Sequence, residues 1–447
     1  MTSFDENGKY IKTNWKNGDR ITADKLNKIE ESIEAVNDND ISRHVETDTR
    51  LDALETKVET DLEGVNSQLE YNTNKLYGYN NVLNFKCDDG EYVKGDGKHD
   101  DTTGIQKALD NFIQNSNEVY IPSGNYKITK PLTLKRDNII IRGSSKSTLQ
   151  KHFNGNLLEP HTQLISRITL ENLIIDGMNN EGHGFYSERE PGSSSTGYTS
   201  LVLNNVSMIN NVGDGLHLKD SYCVNITDGD YNYNGENGIY LAGCHGTTLT
   251  HVNLFGNKVG LFITGGSFSV SVLSCIIQNC KSEGLKIGPS YGVTIINPYM
   301  ENNGIQNRTA SISCILDDGD RPTSVSIINP YISGNKTITP CAINLASSRY
   351  VEIHNPRLSL FVNEGINVGD DSWVTSIYGI NSGIDCPKYI TDKGSRTAQY
   401  GLVGVGLSSH RPSSKYLIPG TSFYDKSLSK PIWFDGTTWR DSQGASV

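Results

Sequence analysis

Between Glu181 and Lys286 the chain returns, about every 23 residues, to a short stretch in which acidic, imidazole, aromatic or ammonium side chains gather around a glycine. The candidates for acid and base work are Asp214, His217, Glu236 and Glu188. Those for gripping a substrate are Tyr186, His183, Lys219, Tyr240, Lys258, Phe262 and Lys286. Two chemistries suit these residue types. Carboxylates held roughly 5 to 10 Å apart perform glycoside hydrolysis, retaining or inverting. An imidazole acid or base, carboxylates holding a divalent ion and lysines contacting phosphate would instead cleave a phosphodiester. A divalent cation, Ca or Mg, enters only with the second chemistry. No compact metal motif is present, so no metal ligand and no other cofactor is assigned. Nor is there a cluster of calcium-binding aspartates beside a basic residue, which β-elimination would call for.

Each group has a plainer reading. Tyr186, Tyr240 and Phe262 would stack on sugar faces, or equally cover a subunit interface. Any single carboxylate among 51 acidic residues can belong to a solvated rim. A reserve acidic group, Glu283, Glu301, Asp317, Asp318 and Asp320 with Arg321, includes an "LDDGDRPT" stretch that also reads as a tight turn.

These side chains can meet only if the chain stacks them, and its repeats do that. Aligning "ITLEN", "LVLNN", "VNITD", "TTLTH", "SVLSC", "VTIIN", "VSIIN" and "VEIHN" places Leu170, Leu203, Ile226, Leu249, Leu273, Ile295, Ile327 and Ile353 in one inward column. Two residues on, Asn172, Asn205, Asp228, His251, Cys275, Asn297, Asn329 and Asn355 form an Asn-rich column suited to a turn. After each glycine a second strand faces Leu216, Ile239, Leu261 and Leu285 inward and Tyr186, His217, Tyr240, Phe262, Lys286 and Ile315 outward. A unit near 23 residues with three short strands predicts a right-handed parallel β-helix, an all-β fold. The two longer steps come from insertions at 189–199 and 304–323, which would place loops around the outward row.

Composition narrows the partners. A net charge of −11 and a pI near 5.4 argue against nucleic acid. No 18-residue apolar run and no signal-peptide apolar region occur, so membrane insertion is not expected and synthesis is placed in a cytoplasm. The eight cysteines lack metal-type pairing and read as reduced thiols, several of them core residues. Leu26, Ile29, Ile33 and Val36, then Val58, Leu62, Val65 and Leu69, recur at heptad spacing and predict a parallel coiled coil, expected as a homotrimer. Ile105, Ala108, Leu109 and Phe112 predict an amphipathic helix over about Asp101–Gln114, with Asp100, Asp101 and Thr102 as cap candidates, closing the open end of the solenoid.

The stretch that follows carries a resemblance. "GDGKHDDTTGIQKAL", "VYIPSGNYKIT" and "LTLKRDNIIIRG" resemble the N-terminal motif of pectate-lyase-like β-helix proteins of bacteriophage tailspikes and tail appendages. Gly95, Asp96, Gly97, Asp100, Asp101 and Thr102 match its opening, and Pro122, Gly124 and Tyr126 its first coil. "GDRITADKLNKIEESI" (18–33) is similar to the N-terminal helix of baseplate and tail proteins from phages of Gram-positive bacteria. "PGTSFYDKSLSKPIWFDGTTWRDSQG" (419–444) is similar to a small C-terminal module of phage tail proteins.

The resemblance implies a virion attachment and coiled-coil region at 1–80, a cap and first coils at 81–150, the β-helix with its groove at 151–384 and a C-terminal β-rich module at 385–447. It also implies a protein of the virion tail that acts outside the cell, with phage tail or baseplate proteins as partners of its N-terminus. Its function would be to bind and depolymerise a host cell-wall glycopolymer, a wall teichoic acid or an exopolysaccharide. The alternative is an adhesin with the same fold and no turnover.

Overall fold

The protein is described here from a computed structural model. It covers residues 24, 26–36, 38, 50, 52–54, 56–58 and 60–65, and then 80–447 apart from 112–116, 145, 162–166, 189–199, 380–387, 401, 412–413, 415–416 and 418. The chain divides into two units, Met1–Leu76 and Tyr77–Val447. In the first, residues 26–36 and 60–65 are helical, and Leu26, Ile29, Ile33, Val36, Val58, Leu62 and Val65 stay exposed within the single chain. Leu69 lies outside the described residues.

The second unit is an all-β parallel β-helix of about 11 turns. Three walls run along it. The front wall contains Phe185–Ser187, Leu216–Lys219, Asn237–Ala242, Val259–Thr264, Leu285–Ile287 and Ile312–Cys314, each paired in parallel with the next. A second wall contains Asn225–Thr227, His245–Thr250, Ser267–Leu273, Ser290–Ile296 and Thr323–Ile328. The third contains Asn253–Phe255, Ile276–Gln278, Tyr299–Glu301, Tyr331–Ser333 and Arg357–Ser359. Their inward side chains merge into one apolar core, and each fully buried Leu or Ile contributes about 1.5–3 kcal/mol.

The predicted apolar column forms, with one slip. Leu170, Leu203, Ile226 and Leu249 align, but the next rung is Val272 instead of Leu273, followed by Ile295, Ile327 and Ile353. Val270 and Val272 both point inward, so alternation turns Leu273 outward. The corner beyond therefore starts at Ser274, and Cys275 is a buried core residue.

That corner explains the Asn-rich column. Asn172, Asn205, Asp228, His251, Ser274, Asn297, Asn329 and Asn355 all have positive φ, between 48° and 58°. Asn and Asp tolerate this left-handed conformation better than other side chains with a Cβ. Where neighbouring coils both carry Asn, the amides also bond along the axis, as in Asn205 to Asn172 at 2.9 Å and Asn355 to Asn329 at 3.1 Å.

A second ladder, of buried asparagines, stands where the chain turns into the front wall. Asn234 accepts from the backbone and side-chain amides of Asn211 and donates to the carbonyl of Met208, and its own backbone N–H donates to Asn257. Asn303 serves Cys280 in the same way. The front-wall glycines lie just beyond. A Cβ on Gly215 would sit 2.7 Å from the carbonyl oxygen of Gly238, and one on Gly238 would sit 2.7 Å from that of Gly260. Only glycine lets the coils close to sheet spacing there.

The cap helix spans Thr102–Asp110, shorter than Asp101–Gln114, and buries Ile105, Ala108 and Leu109; Phe112 and Gln114 lie outside the described residues. Asp100, one residue before the N-cap, accepts from the Thr102 N–H, while the carboxylate of the N-cap residue Asp101 makes no capping bond and instead accepts from Lys94 and Gly95, tying the motif loop to the helix. A four-stranded sheet, Leu402–Gly406, Ser422–Asp425, Lys430–Phe434 and Trp439–Asp441, ends the chain around Phe423, Ile432, Phe434 and Trp439. The seven described cysteines are free; Cys386 lies outside the described residues.

Candidate active site

Backbone pairing puts Tyr186, His217, Tyr240, Phe262 and Lys286 in one outward column of the front wall. The next rung is Ser313, not Ile315, because the strand there is Ile312–Cys314 and its register sits two residues earlier than the glycine alignment placed it. The rings stack on each other. Tyr186 and His217 lie 4.9 Å apart, His217 and Tyr240 4.6 Å, and Tyr240 meets Phe262 edge to face at 5.5 Å. Lys286 covers Phe262, with its ammonium 4.6 Å from the ring centre. The faces expected to meet sugars are thus engaged by neighbouring rings, and the outer surface of the wall presents ring edges and polar tips.

Behind this row the residue immediately before each front-wall glycine stacks on its counterpart one coil away. These are His183, Asp214 and Asn237, and they form the centre of the site. Nδ1 of His217 lies 2.7 Å from Oδ2 of Asp214, so the ring donates there and its Nε2 carries a lone pair in the neutral state. Nδ1 of His183 lies 2.9 Å from the backbone N of Asp214 and 3.3 Å from its Oδ2. The shorter contact, to a group that can only donate, makes Nδ1 an acceptor, and the proton of neutral His183 sits on Nε2. Protonating His183 would turn Nδ1 into a donor to the carboxylate.

The other oxygen of Asp214 accepts from the backbone N of Asn237 at 2.8 Å and from its side-chain amide at 2.7 Å. Asp214 has only 4% of its side chain exposed. Such burial alone would raise its pKa, but the His183 imidazole beside it and the hydrogen bonds from His217 and Asn237 outweigh that and hold the carboxyl well below the usual range. Asp214 is therefore an ionised anchor buried beneath the outward row of rings.

The remaining candidates form two ion pairs. Glu188 binds Lys219 across one coil and accepts from the Tyr186 hydroxyl at 2.5 Å. Lys219 chiefly, then Tyr186, hold the Glu188 carboxyl low, while burial and then Glu188 push the Tyr186 phenol up to about 12. Glu236 pairs with Lys258 at 2.6 Å and is half exposed. Glu236 sits one turn position earlier than Asn237, so the structure does not group it with Asp214 as a matched carboxylate pair. The reserve acidic group disperses: Glu301 lies on the third wall, bonded to Gln278 and Tyr299, and Arg321 pairs with Asp371.

Sequence reasoning did not single out Asn237, the inner asparagines or Lys151. Lys151 is fully buried, and its ammonium donates to the carbonyls of Glu181 at 3.1 Å and His183 at 3.4 Å, fixing the backbone that carries His183. The signal for Asn237 was its place before a glycine, one coil from Asp214. Nothing in the sequence marks Lys151.

The donor atoms of His183, Asp214 and His217 lie within 4.8 Å of one another, close enough to hold one metal ion. Two imidazoles and one carboxylate suit zinc or another transition ion, whereas Ca and Mg take oxygen ligands.

Residues 91–286 match the family model described as rhamnogalacturonase A/epimerase, pectate lyase-like. They form a pectate-lyase-like domain. That domain contains every front-wall candidate from His183 to Lys286. No curated protein matches the chain. Solved structures similar to it include ORF18 of Geobacillus virus E2, at 17% identity and a TM-score of 0.42, covering 72% of this chain and 60% of that one. Tailspike protein 3 of bacteriophage CBA120 is 12% identical with a TM-score of 0.46, covering 84% of this chain and 70% of that one. PfbA, a surface adhesin of Streptococcus pneumoniae, is 12% identical with a TM-score of 0.47, covering 81% and 97%.

Proposed function

We propose that the protein is a phage tailspike whose front wall binds and depolymerises an anionic host-surface glycopolymer, with a phosphodiester-linked wall teichoic acid as the substrate class. The observation that carries this reading is the pair of imidazoles on Asp214. His217 offers a base to the groove through Nε2, and His183 offers a proton through its own Nε2.

In the proposed reaction Nε2 of His217 takes the proton of the attacking hydroxyl or water as its oxygen bonds to phosphorus. Nε2 of His183 protonates the leaving oxygen as the opposite P–O bond breaks. Asp214 holds the imidazolium of His217 through Nδ1, and Lys286, three rungs along the same row and without a carboxylate partner among the described residues, would meet another phosphate of the polymer. The exposed carboxylates of Glu188 and Glu236 are each neutralised by a lysine, which favours imidazole chemistry over a two-carboxylate hydrolase. In this reading the exposed heptad stripe of the first unit packs in a parallel homotrimer, and the N-terminus meets tail or baseplate proteins.

The test is to incubate the purified protein with cell walls and with exopolysaccharide and identify the fragments released. Phosphate-bearing repeat units are expected. Neutral oligosaccharides would point to glycoside hydrolysis, unsaturated sugars to a lyase, and binding without release to an adhesin; each would overturn the phosphodiester reading.

A further inference from the structure

A second row of rings runs up the second wall, around the corner from the groove, and nothing in the proposed reaction uses it. Tyr222, His245, Phe268 and Tyr291 occupy one outward column on four successive coils. Their ring centres are 4.5, 6.1 and 6.3 Å apart and the planes are tilted by 35° to 44°. The two later steps are wider than any in the front row, and the faces stay open: Phe268 is 53% exposed and Tyr291 37%. Tyr291 is also held in place, because its hydroxyl donates to Asp320 at 2.9 Å.

Beside these rings lies a column of hydroxyls. Thr248, Ser271, Thr294 and Ser326 are adjacent rungs of the same wall, all half-buried. Among the described residues none of these four hydroxyls has a protein partner. Neither column contains a lysine, arginine, aspartate or glutamate over these rungs, in contrast to the front wall with its Lys219, Lys258 and Lys286.

We propose that this face is a second, non-catalytic glycan track that takes an uncharged polysaccharide lying along the solenoid axis. Open aromatic faces complement the apolar faces of pyranose rings, and unpartnered hydroxyls exchange hydrogen bonds with sugar hydroxyls. An anionic polymer would meet no lysine or arginine in either column over these rungs, and would meet the Asp320 carboxylate beside Tyr291. A protein partner would bury the hydroxyl column unsatisfied unless it supplied a matching polar strip, which costs binding energy. Sugars carry both kinds of surface on every residue. The track would hold the host's neutral glycan while the front wall works on the charged polymer, and it stands whether or not the front wall is catalytic.

The experiment is isothermal titration of the full-length protein with three neutral hexasaccharides of glucose, linked β-1,3, β-1,4 and α-1,4. At least one is expected to bind with an affinity that holds between roughly 0.05 and 1 M NaCl, since no charges take part. The double variant Phe268→Ala/Tyr291→Ala is expected to weaken that binding roughly tenfold or more, the loss of two aromatic contacts. His217→Ala should leave it unchanged, and the double variant should leave fragment release from short substrates unchanged.

Three results would overturn the proposal. One is no binding of any of the three sugars. Another is binding lost with Tyr240→Ala instead of with the second-wall pair. The third is a fall in solution mass of the double variant, which would identify the face as a contact between copies of this chain. Thr248→Val/Thr294→Val, which keeps shape and β propensity, guards against misfolding of the ring variant and is expected to weaken sugar binding too.

Discussion

His183 and His217 turn the same ring nitrogen, Nδ1, toward one buried residue and yet hold opposite tautomers. His217 donates to the Asp214 carboxylate, and His183 accepts from the Asp214 backbone N–H. One residue thereby sets one imidazole as a base and the other as an acid before any substrate arrives, with no need for their protonation states to differ.

Asp214→Asn tests that relationship. An amide nitrogen facing Nδ1 of His217 would donate where the carboxylate accepted, moving the ring proton to Nε2 and removing the base from the groove. Fragment release should fall by about 10²- to 10⁴-fold while polymer binding persists. Nitrogen NMR of the imidazoles should show His217 changing tautomer in the variant; an unchanged tautomer would refute the assignment.

The same three donor atoms make a prediction about metal ions. Zinc should inhibit by displacing the Nδ1 proton of His217 and drawing both rings onto itself, while Ca or Mg at equal concentration should have little effect. His183→Ala should reduce zinc inhibition. Loss of activity on chelation, restored by metal, would instead make the ion part of the reaction.

Lys151 links the site to stability. Burial lowers its ammonium from 10.5 to about 8, which corresponds to a cost on the order of 3 kcal/mol for keeping the charge inside at neutral pH. Because the folded state binds this proton less tightly than the unfolded chain, the cost is full below pH 8 and is relieved as pH rises toward 10.5. Lys151→Met should therefore raise the melting temperature most near pH 7, and the gain should shrink by pH 10. Fragment release should still fall, since the carbonyls of Glu181 and His183 lose their shared donor.

The two asparagine ladders should respond differently. Asn234→Ala leaves the buried amide of Asn211 and the carbonyl of Met208 without partners, and denaturant unfolding should show a loss of about 3 kcal/mol or more. Asn205→Gly suits the positive φ of an exposed corner and should change stability by less than about 1 kcal/mol.

The columns of the solenoid were legible because parallel coils repeat one register, so that Leu203 predicts Ile226 and Tyr186 predicts His217. The slips at Leu273 and Ile315 arise where apolar residues or glycine substitutes stand on either side of the true position. Local sequence cannot then say which one turns inward. The candidates His183, Asp214 and His217 were also legible as neighbours. Their roles were not, because the depth of Asp214 and the separation of Glu236 from it depend on a single turn position. The inner asparagines recur at the coil length, from Asn211 to Asn234 to Asn257, and that interval is the signal that finds them. Asn237 is marked by its place before a glycine one coil from Asp214, whereas Lys151 acts through hydrogen bonds across a coil, which no linear pattern displays.

The contact of Gly215 with Gly238, and of Gly238 with Gly260, carries a consequence for how such a protein changes. Each of these glycines is required by the coil above it and requires nothing of its own strand, so a lone replacement fails, while removal of one whole coil brings two glycines together again. The unit of variation is then the coil. A lineage could lengthen, shorten or reorder its groove in steps of one rung and meet a new surface polymer without first solving a new folding problem.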